Sequence, residues 1–255
     1  MIGFVGAGNM ARAMARGWGE PVLATDSGSG RAAALVAELG GAALRDNEEL
    51  FDQADTVVLA HRPDQLEEIA RGVDATGKMI ISVLGPTTVA QLRHAYPGAT
   101  VVRTMPNTPV EVRRGVVAVA AGGEAAMPLL SRLGRVVVLP EHQMDLATAT
   151  SGVMPAYIAL IAEAAIDAAV CYGLPLQQAT DMFLDTLAGT AELLIERRGD
   201  TGAVRREVGS PGESTVRGVA TLERHGIRSA FNDAARNVLE RLSLPYTGEA
   251  VISST

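Results

Sequence analysis

Ile2-Gly3-Phe4-Val5-Gly6-Ala7-Gly8-Asn9-Met10-Ala11 decides the fold. Ile2 to Val5 reads as a short buried strand. Gly6-x-Gly8-x-x-Ala11 follows at once and runs into a helical pattern that continues to about Trp18. Each small residue has a task in such a turn. The first glycine permits the tight bend, the second lets the backbone approach a pyrophosphate, and the small third residue lets the helix pack close on its strand. The free N–H groups at the helix start then suit phosphate oxygens.

Working outward, Val22 to Thr25 reads as a second strand ending at Asp26, which lies 18 positions after Gly8. A carboxylate there can bond the adenosine ribose hydroxyls and repel a 2′-phosphate, which favours NADH over NADPH. Ser27, Ser29 and Arg31 argue the other way, since they suit that phosphate. A third reading makes Asp26 the N-cap of the next helix. That helix spans Arg31 to Leu39 and closes at Gly40-Gly41. Thr56–Ala60, Met79–Val83, Thr100–Arg103, Val116–Ala120 and Val136–Leu139 read as further strands. Continuous apolar strands alternating with helices predict a doubly wound parallel sheet of Rossmann type, covered on both faces.

After about Asp145 no strand pattern remains. Ser151 to Tyr172 predicts a long helix stopped at Gly173-Leu174-Pro175, and Leu176 to Arg198 a second one, broken by Gly199-Asp200-Thr201-Gly202. Two shorter helices are expected over Thr215–Arg224 and Ser229–Leu242, with a frayed tail from Pro245. The expected domains are therefore 1–146, an α/β dinucleotide-binding unit, and 147–255, an all-helical unit.

The chain has 255 residues, a formal net charge of −7 and 47% hydrophobic residues. That composition supports a sizeable core, and it offers no basic face for nucleic acid. The single cysteine, Cys171, excludes an internal disulfide and a Cys-rich metal site. Ile158 to Cys171 is the most apolar long stretch, but Glu163 and Asp167 interrupt it, so no membrane span is expected. No signal peptide is read before the first strand. The expectation is a soluble cytoplasmic protein with no metal.

Of 22 basic residues only Lys78 is a lysine, so any lysine-dependent chemistry must use that position. A Tyr-x-x-x-Lys pair would require tyrosine at 74, where Asp74 stands. Lys78 precedes an inner strand of the nucleotide domain, which excludes a two-domain lysine-dependent hydroxyacid dehydrogenase. His94, His142 and His225 fall in polar contexts. His61 lies at a strand's C-terminal end and is either a cofactor contact, a proton donor or a loop residue. A C=N reduction fits what remains, because a protonated iminium already carries its proton.

Three further motifs become specific: Arg103-Thr104-Met105-Pro106-Asn107-Thr108-Pro109, Ser151-Gly152-Val153-Met154-Pro155-Ala156-Tyr157, and Ser210-Pro211-Gly212-Glu213-Ser214-Thr215. Together with the glycine turn, and in this order to about Leu242, they resemble the Δ1-pyrroline-5-carboxylate reductase family. The resemblance implies NAD(P)H-dependent reduction of 1-pyrroline-5-carboxylate to proline, and a helical domain that interlocks with a second subunit. It implies that Ser210, Pro211, Gly212, Ser214 and Thr215 hold the substrate carboxylate, with Thr215 the catalytic contact. It assigns cofactor binding to Gly6, Ala7, Gly8, Asn9, Met10, Asp26, Ala60, Arg62, Pro63, Met105, Pro106 and Asn107.

Four departures from the family pattern stand out. Val153-Met154 replaces Ser-Gly, Glu213 replaces Gly, His61-Arg62-Pro63 replaces Val-Lys-Pro, and Asp26-Ser27 replaces Asn-Arg. They leave two alternatives open, a related cyclic imine as substrate and a non-catalytic nucleotide-binding homologue.

Overall fold

The computed structural model describes residues 1–209 and 214–243. The described residues form two compact units. One is Met1–Pro155 together with the end of the last helix from Val238, and the other is Ala156–Asn237.

The first unit is built on eight strands: β1 (Ile2–Val5), β2 (Val22–Thr25), β3 (Gly41–Ala43), β4 (Thr56–Leu59), β5 (Met79–Ser82), β6 (Thr100–Pro106), β7 (Gly115–Ala120) and β8 (Gly134–Leu139). Their order across the sheet is β3-β2-β1-β4-β5-β6-β7-β8. Between them lie α1 (Asn9–Trp18), α2 (Arg31–Leu39), α3 (Asn47–Gln53), α4 (Leu66–Ala70), α5 (Val89–Ala95) and α6 (Met127–Leu130), and α7 (Met144–Ala147) follows β8.

Successive strand residues point to opposite faces, and both faces are covered. Phe4, Val58, Ile81 and Val102 join Met14 and Trp18 in one core. Val5, Leu59, Ile80 and Val101 join Leu50, Phe51 and Tyr96 in the other. This is why the strands read as unbroken apolar runs rather than alternating ones.

Two features depart from the sequence expectation. β3 is an edge strand of Gly-Ala-Ala in register with Val22–Ala24. It has no β-branched residue, and Gly40-Gly41 reads as a helix stop. β7 runs antiparallel to β6, while β7 and β8 are parallel. The link Asn107–Arg114 is too short for the crossover that a parallel neighbour needs.

The second unit carries α8 (Met154–Cys171), α9 (Leu176–Glu196), α10 (Thr201–Val208), α11 (Ser214–Arg224) and α12 (Ile227–Ser243). α10 occupies the stretch expected to break the chain. Asp200 makes the difference, since its carboxylate accepts from the Ala203 N–H at 2.8 Å and caps the new helix. The predicted frayed tail lies outside the described residues.

The expected absence of a membrane-length apolar helix does not hold. Helical turns run from Glu141 to Cys171, 31 residues long and apolar enough to cross a bilayer. The sequence reading began this run at Ile158. The π-helical turn Thr148–Gly152 instead carries the helix through from α7 into α8. α8 has no buried residue, and α9 buries only Ala179. Leu160, Leu176, Met182 and Ile195 are each more than 60% exposed in the single chain.

Candidate active site

The ends of β1, β2 and β4 surround a crevice of about 720 Å³, lined by Gly6, Ala7, Gly8, Asp26, Ser29, Arg31, Asn47, Ala60, His61 and Arg62 among others. The strand order reverses at β1, and the crevice lies outside the carboxyl ends of the strands, where α/β sheets bind ligands. A dinucleotide's fit can be tested on the two glycines. Gly6 has φ +94°, and a Cβ there would stand 2.7 Å from the Ala60 carbonyl oxygen. Only glycine lets β1 turn this close to the end of β4. Gly8 has an ordinary extended backbone and a Cβ would meet nothing within 4 Å. Its open side leaves room for a phosphate against the backbone. No side chain caps α1, so its leading N–H groups are left for an anion. The residues present fit a dinucleotide.

Asp26 is not the N-cap of α2, a place that Gly30 takes, but its carboxylate still bonds the first turn of that helix from four residues further back. Its Oδ1 accepts from the Gly28 and Ser29 N–H groups at 2.8 and 3.1 Å, and its Oδ2 from Ala32 N–H at 2.8 Å and Ser29 Oγ at 3.0 Å. The carboxylate therefore ties down the 26–32 loop and the start of α2. The Ala32 N–H foremost, with those of Gly28 and Ser29, holds its pKa below the usual aspartate value. Its charge faces the same crevice as Ser27, Ser29 and Arg31.

His61 lines the crevice with its Nδ1 2.8 Å from the Arg62 carbonyl oxygen. A carbonyl only accepts, so Nδ1 carries the hydrogen and Nε2 is a bare lone pair. Nε2 is buried without a hydrogen-bond partner. Burial lowers the imidazole pKa. His61 is therefore neutral at pH 7, with no proton to give from Nε2. Lys78 is also unsuited to proton transfer, since it precedes the inner strand β5, at the amino ends of the strands away from the crevice, and donates to the Ala54 carbonyl at 3.0 Å. Among the described residues no group of His, Cys, Asp or Glu is arranged to hold a metal.

Of the twelve expected cofactor residues, the crevice gathers Gly6, Ala7, Gly8, Asp26, Ala60 and Arg62. Asn9 and Met10 begin α1, and Pro63 opens a short 3-10 turn beside the crevice. Met105, Pro106 and Asn107 stand apart, at the end of β6. A Cβ on Gly85 would lie 3.6 Å from Met105 Cε, and one on Gly152 would lie 3.7 Å from Met105 Sδ. Asn107 is buried and spends its amide on structure. Its Oδ1 accepts from Val116 N–H at 2.8 Å, and its Nδ2 donates to the Ser151 carbonyl at 3.2 Å. Sequence reading missed Asn47, Gln65, Glu68 and Ile69, which also line the crevice. The bond from Thr25 Oγ1 to Asn47 Oδ1, at 2.7 Å, joins parts of the chain that share no motif.

In the helical unit, Ser214 and Thr215 are the first residues of α11. Thr215 lines a cleft of about 200 Å³ with Gly202, Arg205, Arg206, Gly209, Val216 and Val219. Arg205 pairs with Glu223 at 3.7 Å. The two arginines were not anticipated as site residues, because they belong to α10, which was not foreseen. Ser210, Pro211, Gly212 and Glu213 lie outside the described residues. Val153 ends the π-helical turn and Met154 opens α8.

A family model for pyrroline-5-carboxylate reductase dimerisation matches residues 141–243. One described as NADP oxidoreductase coenzyme F420-dependent matches residues 1–86. The pyrroline-5-carboxylate reductase of Methanosarcina acetivorans is 30% identical over 258 residues, 94% of this chain and 96% of that one. The structure of 1-pyrroline-5-carboxylate reductase from Streptococcus pyogenes superposes with a TM-score of 0.85 at 24% identity, covering 94% of this chain and 97% of that one. The Plasmodium falciparum pyrroline carboxylate reductase, solved with NADP bound, gives 0.83 at 25% identity, covering 94% and 96%. The pyrroline-5-carboxylate reductase of Synechocystis sp. is 36% identical over 205 residues, 77% of each chain. With a relative that similar over so much of both chains, and a dinucleotide crevice ahead of a helical unit, the chain belongs to the pyrroline-5-carboxylate reductase family.

Proposed function

We propose that the protein reduces 1-pyrroline-5-carboxylate to L-proline with NAD(P)H, the C=N reduction of proline biosynthesis. The observation that carries this reading is the dinucleotide crevice at β1, β2 and β4 in a chain 36% identical to a named reductase. When bound, the reduced nicotinamide supplies a hydride to the imine carbon. The Gly6–Gly8 turn and the N–H groups of Asn9 and Met10 hold the pyrophosphate. Asp26 addresses the adenosine ribose, and Ala60, Arg62 and Pro63 flank the cofactor. Met105, Pro106 and Asn107 lie toward the nicotinamide half, which belongs to the β4-β5-β6 side of such a sheet.

The protein has no acid to contribute from His61 or Lys78 and needs none. The substrate enters as an iminium, its nitrogen keeps that proton, and the product is the amine. The work of the chain is orientation. Ser210, Pro211, Gly212, Ser214 and Thr215 hold the carboxylate. The positive lining that Arg205 and Arg206 give the Thr215 cleft supports an anionic substrate. Residues 1–146 carry the cofactor, and residues 147–255 carry substrate and partner.

The cofactor preference we assign is NADH. Asp26 is held ionised by the Ala32, Gly28 and Ser29 N–H groups and keeps a negative charge at the crevice. The uncovered faces of α8 and α9 support a homodimer at least, since two such faces can bury each other. That partner, rather than a lipid bilayer, is the cover we assign to the long apolar helix. A cytoplasmic site of action accords with this. Val153, Met154 and Glu213 motivate one second reading, a related cyclic imine. Following NADH and NADPH oxidation with 1-pyrroline-5-carboxylate and a panel of cyclic imines tests both. Turnover of no imine with either cofactor refutes the proposal.

A further inference from the structure

Arg103 is 6% exposed, the one charged side chain among the described buried residues. It stands on β6 opposite Ser82 of β5. Its Nη2 donates to the Gly85 carbonyl at 2.8 Å and to Asp145 Oδ1 at 2.9 Å, and its Nη1 lies 3.4 Å from Glu141 Oε1. The same Glu141 oxygen accepts from the Val89 N–H at 2.6 Å, at the start of α5. One guanidinium thus ties two stretches to β6 directly, the loop after β5 and the 141–145 segment that continues into the long helix, and the first turn of α5 through Glu141.

A buried cation is an expensive way to hold a fold, and apolar replacements often serve stability as well. Its place is informative. Gly85 and Met105, which meet across the ends of β5 and β6, lie on the half of the sheet where the nicotinamide end of a dinucleotide belongs. Nothing in the chemistry described above uses Arg103.

We propose that Arg103 is a positioning residue for hydride transfer. By clamping Gly85, Glu141 and Asp145 to β6 it fixes the floor under the reacting end of the cofactor. The proposal rests on the reductase reading for its cofactor. A guanidinium suits the task, since its planar fork meets a carbonyl and two carboxylates at once, which an ammonium cannot do with fixed geometry.

The test uses the full-length protein with Arg103→Gln, Arg103→Lys and Asp145→Ala. Asp145 is half-exposed, so that variant keeps the fold if Arg103→Gln does not. Three quantities are read per folded site: ADP-ribose affinity, the change in nicotinamide emission when NADH binds, and kcat with the imine. ADP-ribose reports the Gly6–Gly8 crevice alone. The expected result is ADP-ribose binding within about twofold of wild type, loss of the emission change, and kcat lower by about 10- to 100-fold, the scale of an ångström's misplacement. Arg103→Lys should recover part of both. If the melting temperature falls while emission and kcat per folded site stay at the wild-type level, Arg103 is structural only and the proposal is overturned. A parallel loss of ADP-ribose binding also overturns it. If the wild type reduces no imine, the reductase reading fails, and the emission and ADP-ribose comparison still decides the role of Arg103.

Discussion

Gly8→Val separates the cofactor site from the fold more cleanly than any other single change. Gly8 has φ −73° and ψ −173°, a conformation that valine adopts freely, and a Cβ there would meet nothing within 4 Å. The unliganded protein should therefore tolerate the substitution. The added side chain instead fills the space through which a pyrophosphate reaches the backbone. Charge-assisted hydrogen bonds contribute about 1.5–3 kcal/mol each, so losing two costs about 3–6 kcal/mol. That corresponds to about 150- to 25,000-fold in affinity. Gly6→Ala is the contrasting control. Its φ of +94° and the 2.7 Å approach to the Ala60 carbonyl mean that the fold itself must give way. Fluorescence titration with NADH and NADPH, beside thermal melting without cofactor, reads both effects. Gly8→Val should melt like wild type and fail to bind, while Gly6→Ala should melt lower. Normal titration by Gly8→Val, or a loss of stability as large as that of Gly6→Ala, would refute the assignment of this turn to the pyrophosphate.

Asp26→Ser should shift preference toward NADPH by relieving repulsion of the 2′-phosphate, and it should lower stability because four hydrogen bonds to the carboxylate are lost. A wild type that already prefers NADPH strongly in steady-state kinetics would show that the loop's serines and Arg31 govern the choice. The lowered pKa of Asp26 makes its stabilisation complete above the ordinary carboxylate range and lost as pH falls through and below it, which acid melting of wild type against Asp26→Asn can follow. Thr215→Ala should slow imine reduction by about 5- to 150-fold, the worth of one hydroxyl contact at about 1–3 kcal/mol, with NAD(P)H affinity nearly intact. His61→Ala should slow it much less. Crippled turnover in His61→Ala beside near-normal Thr215→Ala would mean the chemistry is misplaced. His61 itself binds its proton less readily when folded, so stability should decline as pH drops below about 6.5, and a His61→Gln variant should lose that slope between pH 7.5 and 5.5. Light scattering at micromolar concentration should report a dimer or larger, and a monomer would leave the apolar faces of α8 and α9 unexplained.

Seven of the eight strands, with α1 and α2, were legible in the sequence because they rest on local signals. Unbroken apolar runs mark strands buried on both faces. Gly6 marks a turn whose geometry only glycine satisfies, while Gly8 and Ala11 complete a local motif of small residues. The exclusion of a lysine acid was also a matter of sequence, since Lys78 is the only lysine and precedes an inner strand. What the sequence left unresolved depended on particular pairings, some local and some distant along the chain. β3 exists because β2 offers Gly41–Ala43 an edge to pair with, not because Gly-Ala-Ala favours a strand. α10 depends on one cap at Asp200, next to glycines that read as a break. The sequence left Asp26 as ribose partner or cap. The folded loop gives the N-cap to Gly30 and binds both Asp26 oxygens to N–H groups two to six residues on, with the charge still facing the crevice. Arg103 opens a motif but went unread among the site residues, because its partners Gly85, Glu141 and Asp145 are brought around it only by folding. Hydrophobic pattern and turn chemistry are written in neighbouring residues, whereas the burial of a charge and the choice of its partners are set by elements 18 to 42 positions apart, which only the folded sheet brings together.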